Sequence, residues 1–406
     1  MKNQRSKPME RRGFKGICSD IVFGIASFIN LLTPKQKLIS ICSTPDYTDN
    51  SRAFYEYIQR EADLKNIKDY KIVWHVLNPK KVKIEYKKEE FSRLPVKFIK
   101  KNTILSMFEM FKSEYIISTH GLYSMIKLTN RQKSVMLMHG MMVKKCGYEF
   151  ENDINLGINC GDYYFVTSEF YKKQYFKSFR CLENQLFITG QPRNDCMLMP
   201  LDERQQRAID EIRERFYIFL PTYRKSNNKN KDNGVNLNDG RIRFGGTSEQ
   251  WDNLNKKLIK ANKKLILKPH PLEEAVAPGF LSELSNVMII SDDWILERGL
   301  ILNHLLAKSE GLITDFSGVY IDYILLDKPI CFFIPDYEKY TESRGIIFDS
   351  ISDYFAGKIT GEFDEITEFI DGKDEYAEKR VKINNLVNEV KQPIASKNIY
   401  EVVFNN

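Results

Sequence analysis

The 406 residues are 42% hydrophobic, enough for roughly two or three domains with their own cores, which excludes global disorder. Sixty-one Lys and Arg against 54 Asp and Glu leave a net +7, a mild excess that suits an anionic ligand or membrane surface. There is no RNP-like aromatic motif, zinc finger or long basic stripe, so nucleic acid is not an expected partner.

The N-terminus sets Lys2, Arg5, Lys7, Arg11, Arg12 and Lys15 against Glu10 alone. A charge-free apolar run, Ile21 to Leu32, follows. A spanning helix needs about 20 apolar residues, so this one is too short to span comfortably. No small-x-small cleavage site follows it. Residues 1–35 are therefore expected to form a basic, amphipathic helical segment on the cytoplasmic face of the membrane, a peripheral attachment. The alternative is an ordinary buried first helix.

From Lys37 onward, apolar runs alternate with helical patterns. "KLISICS", "YKIVWHVL", "EYIISTH", "SVMLMHG", "CGDYYFVTS" and "NQLFITG" read as strands, and "DNSRAFYEYIQREA" as a helix capped by Asp49 or Asn50. After a charged helix around Leu201–Arg215, "FYIFLPTYR", "KKLILKPHP", "NVMIISDD", "EGLITDFSG" and "KPICFFIPD" restart the series. Strands alternating with helices predict α/β architecture with parallel sheets. Two such sets predict two doubly wound domains facing a cleft, residues 36–205 and 206–406, with the last helix free to cross back. The polar stretch Lys225 to Ser248 is expected to be a long loop. The seven cysteines are scattered and never CxxC, against a disulfide framework or zinc site and for a reducing cytosol.

Polar clusters sit where the apolar runs end: His139-Gly140, Gln191 to Asp195, Thr222 to Arg224, His270-Pro271 and Thr314 to Gly318. Open parallel sheets bind ligands outside the carboxyl ends of their strands. A loop feeding a helix start offers free N–H groups to an anion, so Thr314-Asp315-Phe316-Ser317-Gly318 looks built for phosphate; simple helix capping would use the same residues. Arg193 and Arg224 each follow a strand, where a guanidinium can meet a diphosphate bidentately. No P-loop and no convincing GxGxxG fingerprint is present, against ATP hydrolysis and dinucleotide redox chemistry. A histidine at a strand end can act as a general base near neutral pH. His139 and His270 are the candidates, while His120-Gly121 repeats the dipeptide of His139-Gly140 at another strand end. No metal-ligand spacing is present.

The segments "LMHGMMVKKCG", "GQPRND", "LPTYR", "LKPHP" and "LITDFSGVYIDYILLDKPICFFIPDYEKYTESRGIIFD" together resemble the CDP-glycerol glycerophosphotransferase family, the primases and polymerases of teichoic acids and related polymers. The resemblance covers roughly Lys37 to Phe355. It implies a GT-B-type pair of Rossmann-like domains, a C-terminal domain that binds CDP-glycerol or another CDP-polyol, and an N-terminal domain for a lipid-linked or polysaccharide acceptor. No cofactor is expected. The resemblance casts His139 and His270 as catalytic, with His139 the base for the acceptor hydroxyl. The donor side is expected to draw on Arg193, Asn194, Thr222, Arg224, Thr314, Asp315, Ser317, Gly318 and Asp322. Two departures stand out: Met138 replaces the family's usual tryptophan before the histidine, and "TDFSG" replaces TDYSS, putting Phe316 for tyrosine and Gly318 for serine. A GT-B glycosyltransferase using a nucleotide sugar is the rival enzyme reading, and a tethered binding protein on the same fold is the rival outside enzymes.

Overall fold

The computed structural model describes residues 14–88, 93–150, 161–222, 244–269 and 279–405, with side chains of the first helix from residue 20 onward. Arg224, His270 and most of the polar stretch Lys225 to Ser248 lie outside the described residues. A seven-stranded sheet holds β1 (Gln36–Cys42), β2 (Lys71–Val76), β3 (Val96–Lys100), β4 (Ser113–Ser118), β5 (Lys133–Met136), β6 (Tyr163–Val166) and β7 (Leu186–Ile188). A six-stranded sheet holds β8 (Arg215–Leu220), β9 (Lys263–Leu267), β10 (Val287–Ile289), β11 (Gly311–Thr314), β12 (Ile330–Phe333) and β13 (Lys358–Thr360).

Every pairing is parallel, in the orders β3-β2-β1-β4-β5-β6-β7 and β10-β9-β8-β11-β12-β13. The central strands bury both faces: Ile39 to Cys42 in β1 and Phe216 to Leu220 in β8 are all buried. Helices on both sides of a parallel sheet demand such unbroken apolar runs. Strand order reverses between β1 and β4 and again between β8 and β11, so each sheet opens a crevice at its carboxyl edge there. β3 ("VKFIK") and β13 ("KIT") are absent from the expected strands. Both are sheet edges, where short, lysine-bearing strands are favoured and the apolar signal is weakest.

The helix Phe14–Leu32 differs from the expected amphipathic segment. Phe23, Ala26 and Ile29 pack with Met107, Met110 and Phe111 of the helix Ile104–Lys112. Ile21, Val22, Ile25, Phe28, Leu31 and Leu32 are exposed on its other side. Its described part is thus apolar on both sides, a pattern that suits a helix with a second apolar environment. Among the described residues, no helix is long and apolar enough to cross a membrane.

The two lobes are tied together. The Arg52 guanidinium donates to the carbonyls of Gly299 and Leu300, each at 3.1 Å. The helix Ala395–Phe404 packs on the first lobe, against the helices Asp49–Arg60 and Pro192–Leu198. Its start is capped by the Asp195 carboxylate, which accepts from the amides of Ala395 (3.0 Å) and Ser396 (2.8 Å).

Candidate active site

β5 ends at Met136, and the chain then turns through left-handed Met138 (φ 57°) and Gly140 (φ 124°), aiming His139 out of the strand tip. Asn50 fixes this turn: its Nδ2 donates to the carbonyls of Leu137 (3.2 Å) and Met138 (3.0 Å), and its Oδ1 accepts from the Arg193 amide (3.0 Å). So Asn50 does not cap its helix as expected; the N-cap position is Thr48, which makes no side-chain cap bond. Arg193 Nη1 donates to the His139 carbonyl and to Asp49 Oδ1, both at 2.9 Å, and Nη2 donates to Asp322 Oδ2 on the helix Val319–Tyr323 of the other lobe. Burial opposes the guanidinium's charge, but Asp322 and Asp49 outweigh it and keep Arg193 protonated. A Cβ on Gly140 would stand 2.4 Å from Arg193 Nη2, so only glycine lets the guanidinium reach this backbone.

Beyond Gly140 the chain meets the second lobe. Lys144 bridges Ile346 in antiparallel fashion, the Ile347 amide donates to Val143 O (3.0 Å), and Lys145 N donates to Gly345 O (3.2 Å). The stretches "HGMMVKKCG" and "ESRGIIFD", some 200 residues apart in sequence, therefore lie side by side. Within the second sheet, Thr222 N donates to both carboxylate oxygens of Asp315 (3.1 and 3.0 Å), and the Thr222 hydroxyl donates to Asp315 as well. This ties the tips of β8 and β11 at the point where strand order reverses. Phe316 stacks on Tyr340 with centroids 4.2 Å apart, closing the apolar side of the loop. Gly318 approaches the first lobe so closely that a Cβ would lie 2.3 Å from Met141 O.

A cavity of about 530 Å³ lies between these tips, within the usual range for small-molecule sites. His139, Lys144, Thr222, Asn303, Ser317 and Arg344 contribute to its lining. The His139 residue is exposed to the cleft, while protein crowds its ring on the remaining sides. That crowding pushes its pKa below the usual histidine range; Asp49 opposes the shift and Arg193 and Lys144 add to it. The imidazole is therefore neutral near pH 7, the form that accepts a proton.

The structure brings His139, Arg193, Thr222, Ser317, Gly318 and Asp322 to one cavity. Four expectations change. Arg193 is buried with both terminal nitrogens on Asp49, Asp322 and the His139 carbonyl, so it holds the loop and joins the lobes rather than standing open to a diphosphate. Thr314 is fully buried and donates its hydroxyl to Leu220 O (2.8 Å). Asp315 accepts from Thr222 instead of facing the ligand space. Asn194 is buried, and its Oδ1 accepts from Asn303 Nδ2 at 3.4 Å. Lys144, Asn303 and Arg344 went unnoticed in the sequence. Two signals existed: the basic pair Lys144-Lys145 just after the histidine, and Arg344 before Gly345, which sits at φ 73°.

Residues 25–405 match the family model described as CDP-Glycerol:Poly(glycerophosphate) glycerophosphotransferase. The chain belongs to this family. That bears out the resemblance carried by the His139, Arg193 and Leu312–Asp349 motifs. The glycerophosphotransferase is similar to the teichoic acid poly(glycerol phosphate) polymerase of Bacillus spizizenii, 23% identical over 350 residues and 81% of each chain. It is also similar to the teichoic acid glycerol-phosphate transferase of Staphylococcus aureus, 24% identical over 394 residues, 88% of this chain and 90% of the other. Among solved structures, the wall teichoic acid polymerase TagF superposes with a TM-score of 0.72 over 98% of both chains, at 20% identity. The shared architecture is the GT-B-like pair of parallel α/β lobes.

Proposed function

We propose that this glycerophosphotransferase moves a glycerol phosphate, or a related polyol phosphate, from CDP-glycerol to a hydroxyl of a lipid-linked or polysaccharide acceptor in teichoic acid or capsule-type polymer synthesis. The acceptor oxygen attacks the phosphorus of the glycerol phosphate half, and the new O–P bond forms as the P–O bond to CMP breaks. CMP departs with that electron pair, and His139 takes the hydroxyl proton. Such a transfer needs in-line positioning and neutralised charge more than covalent help. The observation that carries this reading is the cavity itself, which His139 of the first lobe lines together with Ser317 and Gly318 of the second. Arg193 is committed to Asp49 and Asp322, while Lys144 and Arg344 line the cavity and bring positive charge to its wall.

The acceptor reaches the cleft from a membrane surface in this reading. The helix Phe14–Leu32 has an exposed apolar side, and Ile104, Leu105 and Phe108 are exposed on the helix packed beside it. Together they form an apolar face suited to the cytoplasmic leaflet, with the basic N-terminal residues for anionic headgroups. The decisive experiment incubates the purified protein with CDP-glycerol and a lipid-linked acceptor, following CMP and the product mass. CMP plus a phosphodiester is expected. His139→Ala should lower turnover more than about a hundredfold with the fold intact. CMP release near the parent rate would remove His139 from the reaction.

A further inference from the structure

The two His-Gly dipeptides of the sequence end neighbouring strands. β4 and β5 pair in register Ser118↔Met136, so straight continuation would set His120 opposite Met138. The left-handed turn at Met138 swings the next residue over instead. The rings of His120 and His139 stack face to face, centroids 4.2 Å apart and planes within 9°. His120 is fixed from behind: its Nδ1 lies 2.8 Å from Thr119 Oγ1, and Gly121 N donates to Ser118 Oγ at 3.1 Å. Gly121 takes φ 85°, which directs the chain away and leaves the ring against its neighbour.

We propose that His120 is a positioning residue for His139, its ring forming the flat wall that sets the aim of the His139 imidazole and shields one face of it from water. This rests on the reading of His139 as the base. A ring clamped at its backbone by Arg193 and at its face by His120 keeps one orientation toward the acceptor hydroxyl. Without the wall, rotation about its side-chain bonds would spread the imidazole over several rotamers. Two stacked imidazoles also resist taking two protons. The His120 ring, crowded by protein and placed against His139, is held neutral well below the usual histidine range. The charged groups facing the pair are Lys101 beyond β3, Asp49, Arg193 and Lys144.

The test compares His120→Ala with His120→Phe in the full chain. His120→Ala removes the wall; kcat should fall about tenfold with little change in KM for CDP-glycerol. Its acid limb of kcat should move up toward the ordinary histidine range as water reaches His139. His120→Phe keeps a flat ring and should restore most of kcat. A polar or proton-relay role for His120 would instead leave the phenylalanine variant as slow as the alanine one, and that result overturns the proposal. NMR titration of the protein labelled at its five histidines gives a readout independent of catalysis. The His139 resonance, assigned by loss in His139→Gln, should titrate at higher pH in His120→Ala than in the parent. An unmoved titration refutes the stack as a controlling contact even if His139 is the base. If His139→Gln itself turns over normally, the base assignment fails while the titration still judges the stack.

Discussion

Replacing Gly318 with alanine or serine tests whether the lobes meet as closely as the structure has them. Gly318 has ordinary right-handed helical angles (φ −61°, ψ −16°), so its backbone does not require glycine. What requires it is space: an added Cβ would stand 2.3 Å from Met141 O. A carbon–oxygen contact normally settles at about 3.3–3.6 Å. The two backbones must therefore part by about 1 Å, and neither is a flexible side-chain end. A displacement of about 1 Å between reacting groups can cost around a hundredfold in rate. Overpacking alone costs about 1–3 kcal/mol, and the lobes can relieve part of it by opening. Gly318→Ala and Gly318→Ser should thus lose about a hundredfold in CMP release while melting falls by only a few degrees. A serine at this position is usual in the family, so Gly318→Ser also asks whether a hydroxyl there would serve the donor. Turnover by Gly318→Ser at or above the parent rate would show that the Met141 contact does not limit the working enzyme.

Three further outcomes are expected. Arg193→Ala leaves the almost fully buried Asp322 and its neighbour Asp49 without their shared cation; the loss should be about 3–5 kcal/mol in urea unfolding. Arg193→Lys, which cannot fork between them, should recover only part of that. His75 is fully buried between Ser40 Oγ (2.8 Å) and Ser106 Oγ (2.7 Å), and burial pushes its pKa down to about 3. The unfolded chain binds this proton near pH 6.5, so the contribution is complete above that pH. It is lost as pH falls toward 3, by roughly 5 kcal/mol at most. Urea midpoints should drop through that window, and His75→Phe should flatten the curve there. Finally, Phe28→Asp with Leu31→Asp should abolish co-sedimentation with anionic vesicles without changing the circular dichroism spectrum; retained binding would place the membrane contact elsewhere.

The strands legible in the sequence were those buried on both faces. "KLISICS" and "FYIFLPTYR" hold β1 and β8 because short continuous apolar runs fit central strands covered on both faces. The edges β3 and β13 were not legible, since their lysines and shortness serve to blunt an exposed sheet border. At the site, residues whose backbone ends a strand were legible: His139, Thr222 and Ser317 all line the cavity. Their partners were less so. "PRND" reads as a charged cluster available to ligand. In the fold Arg193 meets acids from two other segments, Asn194 faces Asn303, and Asp195 caps the last helix. A side chain's neighbour some 110 to 200 residues away leaves no periodic trace.

Composition, alternating apolar runs and the motif set by themselves determined two parallel α/β lobes and the family, because those signals are local and repeat along the chain. Only the tertiary structure decided how the charges are partnered. Charge is spent pairwise in space, so Arg193 is committed once Asp49 and Asp322 close on it, whatever its position after a strand suggests. The stacking of His120 on His139 likewise depends on one left-handed residue, Met138, placed where two strands run side by side.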